Sequence, residues 1–204
     1  MKKIQDEDLI LDVDTIDTVD RVDLKLLCTM ATARKEILET GTRFGRTLVN
    51  LAKFNPPDGR LVSIDKDQSN AKQTLEKMPE EIKNKITLIE HDTNTFDFST
   101  IGKFDMVFID GDHTSDGVIN DTLNALSVLK SGGVIVWHDF QSVPIKVGLY
   151  TLGLAKVQIG KEMGLTYGNL DPNCTARVIK DSLNNIQKWI NNYLRIVDTP
   201  KIIQ

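Results

Sequence analysis

Apolar positions along the chain switch between two spacings, and the switching predicts alternating helices and strands. Val19, Val22, Leu26, Met30 and Ala33 recur every three or four residues, which places them on one face of a helix over about 18–34. Glu36-Ile37-Leu38-Glu39-Thr40 is a short first strand that ends at Gly41. A helix over 44–54 is stopped by Asn55-Pro56-Pro57-Asp58-Gly59, because two prolines and a glycine cannot continue it. Residues 60–64 form a second strand ending at Asp65, and Asp67 is expected to cap a helix with Ala71, Leu75 and Met78 on one face. Strands three and four are expected over 85–90 and 104–109, the latter continuously apolar at its end like a buried parallel strand. Ser115 is expected to cap a helix with Val118, Ala125, Leu126 and Leu129 on one face, and Ser131-Gly132-Gly133 leads into a fifth strand over 134–137. Residues 145–163 read as helical. Two short runs, 164–169 and 174–180, flank Leu170-Asp171-Pro172-Asn173 as in an antiparallel hairpin, and a last helix covers 181–195.

This order predicts an α/β fold, a doubly wound and mostly parallel sheet with helices on both faces. The 204 residues fall within the roughly 200–250 that one domain commonly reaches, so a single domain over 1–204 is expected. The hydrophobic share of 40% and charged share of 26% are those of an ordinary globular protein. A net charge of −4 does not favour nucleic acid as the main partner, since phosphate binding usually brings a basic excess. Cys28 and Cys174 have no second cysteine or histidine at zinc-like spacing and read as reduced thiols. Residues 1–14 turn acidic after two lysines and lack the apolar centre of a signal peptide. No apolar run approaches the ~18 residues of a membrane span. A cytoplasmic location without membrane attachment is expected.

In open α/β sheets, ligands bind beyond the carboxyl ends of the strands, at the point where strand order reverses. Gly41, Asp65, Asp92, Asp110 and the pair His138-Asp139 all fall at such ends. Gly41 permits a tight turn and a close backbone approach to a ligand, and the following helix turns its N–H groups to the same space. It could equally be a plain strand-to-helix turn. Asp65 is placed to accept from both hydroxyls of a ribose, with Asp67 the better helix cap. Asp92 is placed to accept from an exocyclic amine, or to be a solvated loop acid. Asp110 ends an apolar strand, and His113, three residues on, could take a proton from a substrate hydroxyl. Strands four and five are expected to be neighbours about 4.8 Å apart, so Asp110 and Asp139 can converge. A hard cation such as Mg²⁺ would reconcile the two carboxylates, with His138 as third ligand or base. The alternative is that Asp139 caps a helix and His138 packs on the cleft wall.

At these residues the sequence resembles the class I S-adenosylmethionine-dependent methyltransferases, and within them the small O-methyltransferase-like family that includes macrocin-type sugar O-methyltransferases. Glu39-Thr40-Gly41-Thr42-Arg43-Phe44-Gly45 resembles the first cofactor motif, Asp65 the ribose-binding acid and Asp92 the adenine-binding residue. Ile109-Asp110-Gly111-Asp112-His113 resembles the fourth-strand signature, and Gly132-Gly133 through Asp139 the fifth. The resemblance implies a Rossmann-like sheet of order 3-2-1-4-5-7-6, closed by the hairpin. It implies an N-terminal extension over 1–18, a cofactor-binding core over 34–140, and a substrate wall, hairpin and C-terminal helix over 141–204. It further implies S-adenosylmethionine held by Glu39, Thr40, Gly41, Thr42, Gly45, Asp65, Asp92 and Asp110, and a small hydroxylated acceptor. In metal-dependent members Mg²⁺ is held by an acid ending strand four and an acidic pair ending strand five. Asp110 and Asp139 match, while His138 stands where the family more often has Glu or Asp. The family's base, a histidine three residues after the strand-four ligand, maps onto His113, and His138 is the second candidate catalytic residue. A homodimer, with 1–18 as a contact, is also compatible. A nicotinamide dehydrogenase would want a second glycine where Arg43 stands. A non-enzymatic nucleotide-binding module with the same fold is the other alternative.

Overall fold

The computed structural model describes residues 4–11, 19–139 and 142–152. Its sheet has five parallel strands: β1 (Glu36–Thr40), β2 (Arg60–Asp65), β3 (Ile86–Glu90), β4 (Phe104–Ile109) and β5 (Leu129–Trp137). Their order is β3-β2-β1-β4-β5. The order reverses between β1 and β4, as the expectation of a doubly wound sheet requires. The proposed hairpin over 164–180, the final helix and the rest of the 145–163 helix lie outside the described residues.

Helices α1 (Arg21–Ala31), α2 (Arg46–Phe54), α3 (Ser69–Glu76), the short α4 (Glu80–Lys83), α5 (Ser115–Val128) and α6 (Val143–Thr151) connect and flank these strands. Between them, Ile37, Leu38, Phe104 and Phe108 are fully buried. Each such side chain contributes roughly 1.5–3 kcal/mol by leaving water. The central strands carry apolar side chains toward both faces, which is what a sheet covered by helices on both sides demands.

Local chemistry moves several boundaries. α1 begins at Arg21, not near 18, because the Asp20 carboxylate accepts from the amides of Val22 and Asp23 at 2.7 and 2.9 Å and so sets the cap. The cap of α5 is Thr114, whose hydroxyl accepts from Gly117 N at 3.1 Å; Ser115 is the first helical residue. The N-cap of α3 is Gln68, not Asp67, and its side chain makes no capping bond; Asp67, one residue earlier, accepts from Ser69 N at 2.8 Å. Strand β5 begins before the Ser131-Gly132-Gly133 run. Phe104 pairs with Leu129 and Met106 with Val134, so the intervening residues bulge. Gly132, at φ 77°, supplies the left-handed backbone this needs.

Strand register places the site. Thr40 pairs with Ile64 and with Ile109, and Ile109 pairs with Trp137. The next residue of each strand therefore emerges at one level: Gly41, Asp65, Asp110 and His138. Backbone bonds carry the alignment one step further, from Gly41 N to Ile64 O, Asp110 N to Thr40 O and His138 N to Ile109 O, at 2.8 to 2.9 Å.

Candidate active site

A cavity of about 950 Å³ opens at this edge. One wall is the β1–α2 loop. Arg43 and Gly45 there have φ of 49° and 75°, and Gly45 N donates to Thr42 O at 2.8 Å. A side chain on Arg43 in this region is strained, so something must hold the loop. Asp65 does: its Oδ2 accepts from Thr42 N at 2.7 Å and Arg43 N at 2.9 Å. Gly41, at φ 87°, is needed for a reason other than ligand approach. A Cβ there would stand 2.1 Å from the carbonyl oxygen of Asp110, so glycine lets the loops after β1 and β4 press together.

Beneath the loop lies a buried polar chain. Gln68 Nε2 donates to Thr42 Oγ1 at 2.9 Å, the Thr42 and Ser63 hydroxyls are 2.6 Å apart, and Ser63 donates to Glu39. Glu39 is 1% exposed. Burial pushes its carboxyl up to about 8, against the Ser63 bond and with help from the Asp110 and Asp65 charges. Thr40 is also buried and donates to Asp121 at 3.2 Å. Glu39 and Thr40 thus support the loop from below and do not line the cavity.

On the β3 side, Asp92 does not line the cavity either. Its carboxylate accepts from Asn94 N and Nδ2, each at 2.9 Å, and faces Lys66 Nζ at 3.3 Å. The neighbours His91, Thr93 and Asn94 form that wall. Asp92-Thr93-Asn94 carries the pattern of an Asx turn, which was the available signal for this arrangement.

Four groups meet at the ends of β4 and β5. Asp110, His113, His138 and Asp139 each offer a ligand atom, and these atoms lie within 4.8 Å of one another. His113 Nε2 is 3.3 Å from Asp110 Oδ1, and its Nδ1 is 3.5 Å from Asp139 Oδ2. His138 Nδ1 stands 2.9 Å from Asp110 Oδ1 and 3.3 Å from Asp139 Oδ2, yet it is buried with no aligned hydrogen bond. Its ring meets Phe108 edge-on at 6.3 Å. Asp139 has φ 52°, a conformation uncommon for a residue with a side chain.

Charge pairing dominates this cluster. Burial acts to raise the Asp110 carboxyl, but the two imidazoles outweigh it and hold the group below its ordinary value. The hydrogen bond that its ring N–H donates to Asp110 lifts His113 above the ordinary imidazole range, against partial burial and with the charges of Asp110 and Asp139 adding. For His138, burial opposes protonation and the carboxylates of Asp110, Asp139 and Asp23 overcome it, so its value is also raised.

Residue-by-residue reading missed the cations at the cavity. Arg43, Arg46 and Lys66 line it, and Arg46 is only 8% exposed. All three adjoin residues already singled out, Arg46 directly after Gly45 and Lys66 directly after Asp65.

A glycine-bearing loop, an acid after β2 and a polar cluster after β4 and β5, on a sheet of order 3-2-1-4-5, define a class I methyltransferase-type site. The sequence profile of a family described as a methyltransferase domain matches residues 38–140, and this chain belongs to that family; it is a methyltransferase. This removes support from the dehydrogenase and binding-module alternatives. No curated protein matches the chain. Among solved structures, the O-methyltransferase TomG from Streptomyces achromogenes, involved in tomaymycin synthesis and solved with S-adenosylmethionine, is 21% identical with a TM-score of 0.54. That match covers 86% of this chain and 70% of TomG. A putative O-methyltransferase from Klebsiella pneumoniae is 18% identical over 95% of this chain and 73% of its own, at a TM-score of 0.54. The O-methyltransferase from Bacillus cereus, in complex with S-adenosylhomocysteine, is 17% identical over 86% and 71%, at 0.53. At these identities the likeness is one of fold. No helix among the described residues is long and apolar enough to cross a membrane.

Proposed function

We propose that the chain transfers the methyl group of S-adenosylmethionine to a hydroxyl of a small acceptor. The observation that carries this reading is the row Gly41, Asp65, Asp110 and His138 at one level of the sheet, facing one cavity. Asp65 is the ribose ligand and also holds the loop through Thr42 and Arg43. Thr42 and Gly45 present the loop backbone to the cofactor, with Glu39 and Thr40 beneath it. Asp92 contributes to the adenine edge by holding Asn94 at the cavity wall. The net charge of −4 supports a small molecule over nucleic acid as acceptor.

The methyl of a sulfonium is already activated, so the protein mainly aligns the nucleophile with it. As the acceptor oxygen forms its bond to the methyl carbon, the carbon–sulfur bond breaks and its electron pair stays on sulfur. The hydroxyl proton passes to His113, which is half exposed at the cavity mouth. The Asp110 and Asp139 carboxylates stabilise the imidazolium this creates. His138, more deeply buried, orients the two carboxylates.

Mg²⁺ would polarise the acceptor hydroxyl where it is bound. Asp110 and Asp139 offer the oxygen ligands it prefers, but the third inward group is the His138 imidazole, and Mg²⁺ demands oxygen in near-ideal octahedral geometry. The residues present fit Mg²⁺ poorly.

Calorimetric titration of the full chain with S-adenosylhomocysteine tests the reading. Micromolar binding is expected. Asp65→Ala should weaken it about tenfold to hundredfold, the loss of a charged hydrogen-bond acceptor. Absence of binding by the unaltered chain would overturn the proposal, and an unchanged affinity in Asp65→Ala would remove Asp65 from it.

A further inference from the structure

One turn of α5, residues 120–124, reaches the ends of four strands. Asp121 Oδ2 accepts from the hydroxyl of Thr40, the last residue of β1, at 3.2 Å. The Thr93 hydroxyl, past the end of β3, is a second donor to the same carboxyl. Asn120 and Asn124 donate to the Thr93 carbonyl oxygen at 3.4 and 3.3 Å. Gly111, past the end of β4, lies against the carboxyl, since a Cβ there would stand 2.9 Å from Asp121 Oδ2. Thr122 accepts from Nε1 of Trp137, at the end of β5, at 2.9 Å. We propose that Asp121 is a positioning residue: by fixing Thr93 against Thr40 and Gly111, it sets the pocket for the adenosine half of S-adenosylmethionine. This rests on the methyltransferase reading above and adds to it a residue that does not itself line the cavity.

Three observations support it. The first is topological. β2 separates β3 from β1, so the segment leaving β3 must cross roughly 10 Å, two strand spacings, to share a carboxyl with Thr40. That segment carries His91, Thr93 and Asn94, which form one wall of the cavity, and its course over the cavity is set where Thr93 is fastened. The second is the place of the partners. Thr93 and Gly111 line the cavity, and Thr40 directly precedes Gly41, which also lines it. The third is energetic. Asp121 is 1% exposed and its Oδ1 has no aligned hydrogen bond. Burial raises its carboxyl above the ordinary range, with the Thr93 and Thr40 bonds opposing and the charges of Asp112 and Asp92 adding. A buried acid in this condition costs stability, and an apolar side chain would fill the same contact without that cost. What the carboxyl supplies instead is direction, because it holds hydroxyls from two separate strand ends in one arrangement.

The test uses two ligands that share one half. The full chain is titrated by calorimetry with S-adenosylhomocysteine and with 5′-methylthioadenosine, which keeps the adenosine and lacks the amino-acid end. Asp121→Ala should weaken both by the same factor, about tenfold, the scale of one lost bond to a buried carboxyl. Asp121→Asn keeps an oxygen for Thr40 and should stay within about threefold of the parent. A role in stability alone would lower the urea midpoint of Asp121→Ala and leave both dissociation constants of the folded chain unchanged, which would overturn the proposal. A loss confined to S-adenosylhomocysteine would overturn it too. Thr93→Val removes the second hydroxyl. It should cost about tenfold in the parent and less than about twofold more in Asp121→Ala, because residues acting as a unit are not additive; losses that multiply would sink the assignment. Should Asp121→Ala fail to fold, Thr93→Val decides alone: an equal loss for both ligands supports the proposal, and unchanged affinities overturn it. If the unaltered chain binds neither ligand, the proposed function falls and this inference with it. If it binds both and the variants match it, only the role of Asp121 is lost.

Discussion

Glu39 is a carboxyl group at 1% exposure, two residues before Gly41, where the loop that faces the cavity begins. Its neutral form is the stable one: burial raises it to about 8, while a free glutamate loses its proton near ~4.3. Between those values the folded chain keeps a proton that the unfolded chain has released. Rising pH therefore works against folding across that window. The contribution is complete below the ordinary glutamate value and is lost as the pH passes about 8. Glu39→Gln keeps an oxygen that can accept from Ser63 and cannot ionise. We expect urea midpoints of the variant to gain on those of the parent as pH is raised from ~5 to about 8. Parallel curves would mean that Glu39 is not the group titrating there. The same residue illustrates what the sequence made legible. The resemblance of the 39–45 motif offered Glu39, two residues before Gly41, as a cofactor ligand, yet its side chain points to the buried chain of Ser63, Thr42 and Gln68. Strand alternation decides that direction, and at the last residues of a fully buried strand the sequence carries no polar–apolar contrast to reveal it.

At the scale of elements, β1 to β4 were legible to within a residue, because each is an apolar run ended by a glycine or an acid, whereas β5 starts at Leu129, five residues before the expected Val134, ahead of a bulge that the Ser131-Gly132-Gly133 run disguised as a turn. Helix ends were less legible. Asp20 and Thr114 cap α1 and α5 through side-chain contacts two or three residues away, and each competes with neighbours of similar capping chemistry. Docking of one element on another was not legible at all. Asn50, fully buried on α2, accepts from Ile10 N at 2.8 Å and donates to Ile10 O and Arg46 O, each at 2.9 Å. It acts as a side-chain substitute for a strand partner, and it secures the segment 4–11, whose Ile4 and Leu9 enter the core. Its partner lies forty positions away, so no local pattern marks it. Lys25 to Asp6 at 2.6 Å adds an ion pair to the same docking, but an exposed pair of this kind contributes little. Asn50→Ala should cost about 1–3 kcal/mol, the penalty of leaving the Ile10 amide and carbonyl unpaired, as read from urea unfolding. A change within about 0.5 kcal/mol, as for an ordinary surface position, would mean that the segment is not held by this contact.

For the molecule as a whole, site and stability meet through the cavity, because a ligand that binds only the folded chain adds to the stability of every element that must open to release it. Cys28 offers a probe of that coupling far from the chemistry. It lies on α1 at 0% exposure, packed in the same cluster as Ile37, Leu38 and Met106. Burial pushes its thiol up to about 12, with Lys53 offsetting a little of the effect. The thiolate is the reactive species, so near ~pH 8 the folded chain should alkylate at Cys28 at least about a thousandfold more slowly than the urea-unfolded chain, a lower bound on a shift of about three units from a free thiol near ~8.5. Peptide mapping by mass spectrometry distinguishes this position from Cys174. If labelling requires global opening, S-adenosylhomocysteine at about a hundred times its dissociation constant should slow it by a further factor of about a hundred. If α1 instead detaches locally while the sheet stays closed, the ligand will leave the rate unchanged. Either rate identifies the unit that opens: equal protection at Cys28 and at the cavity means that α1, the strands and the cofactor loop unfold together, and unequal protection means that α1 is a separate unit resting on a more stable sheet.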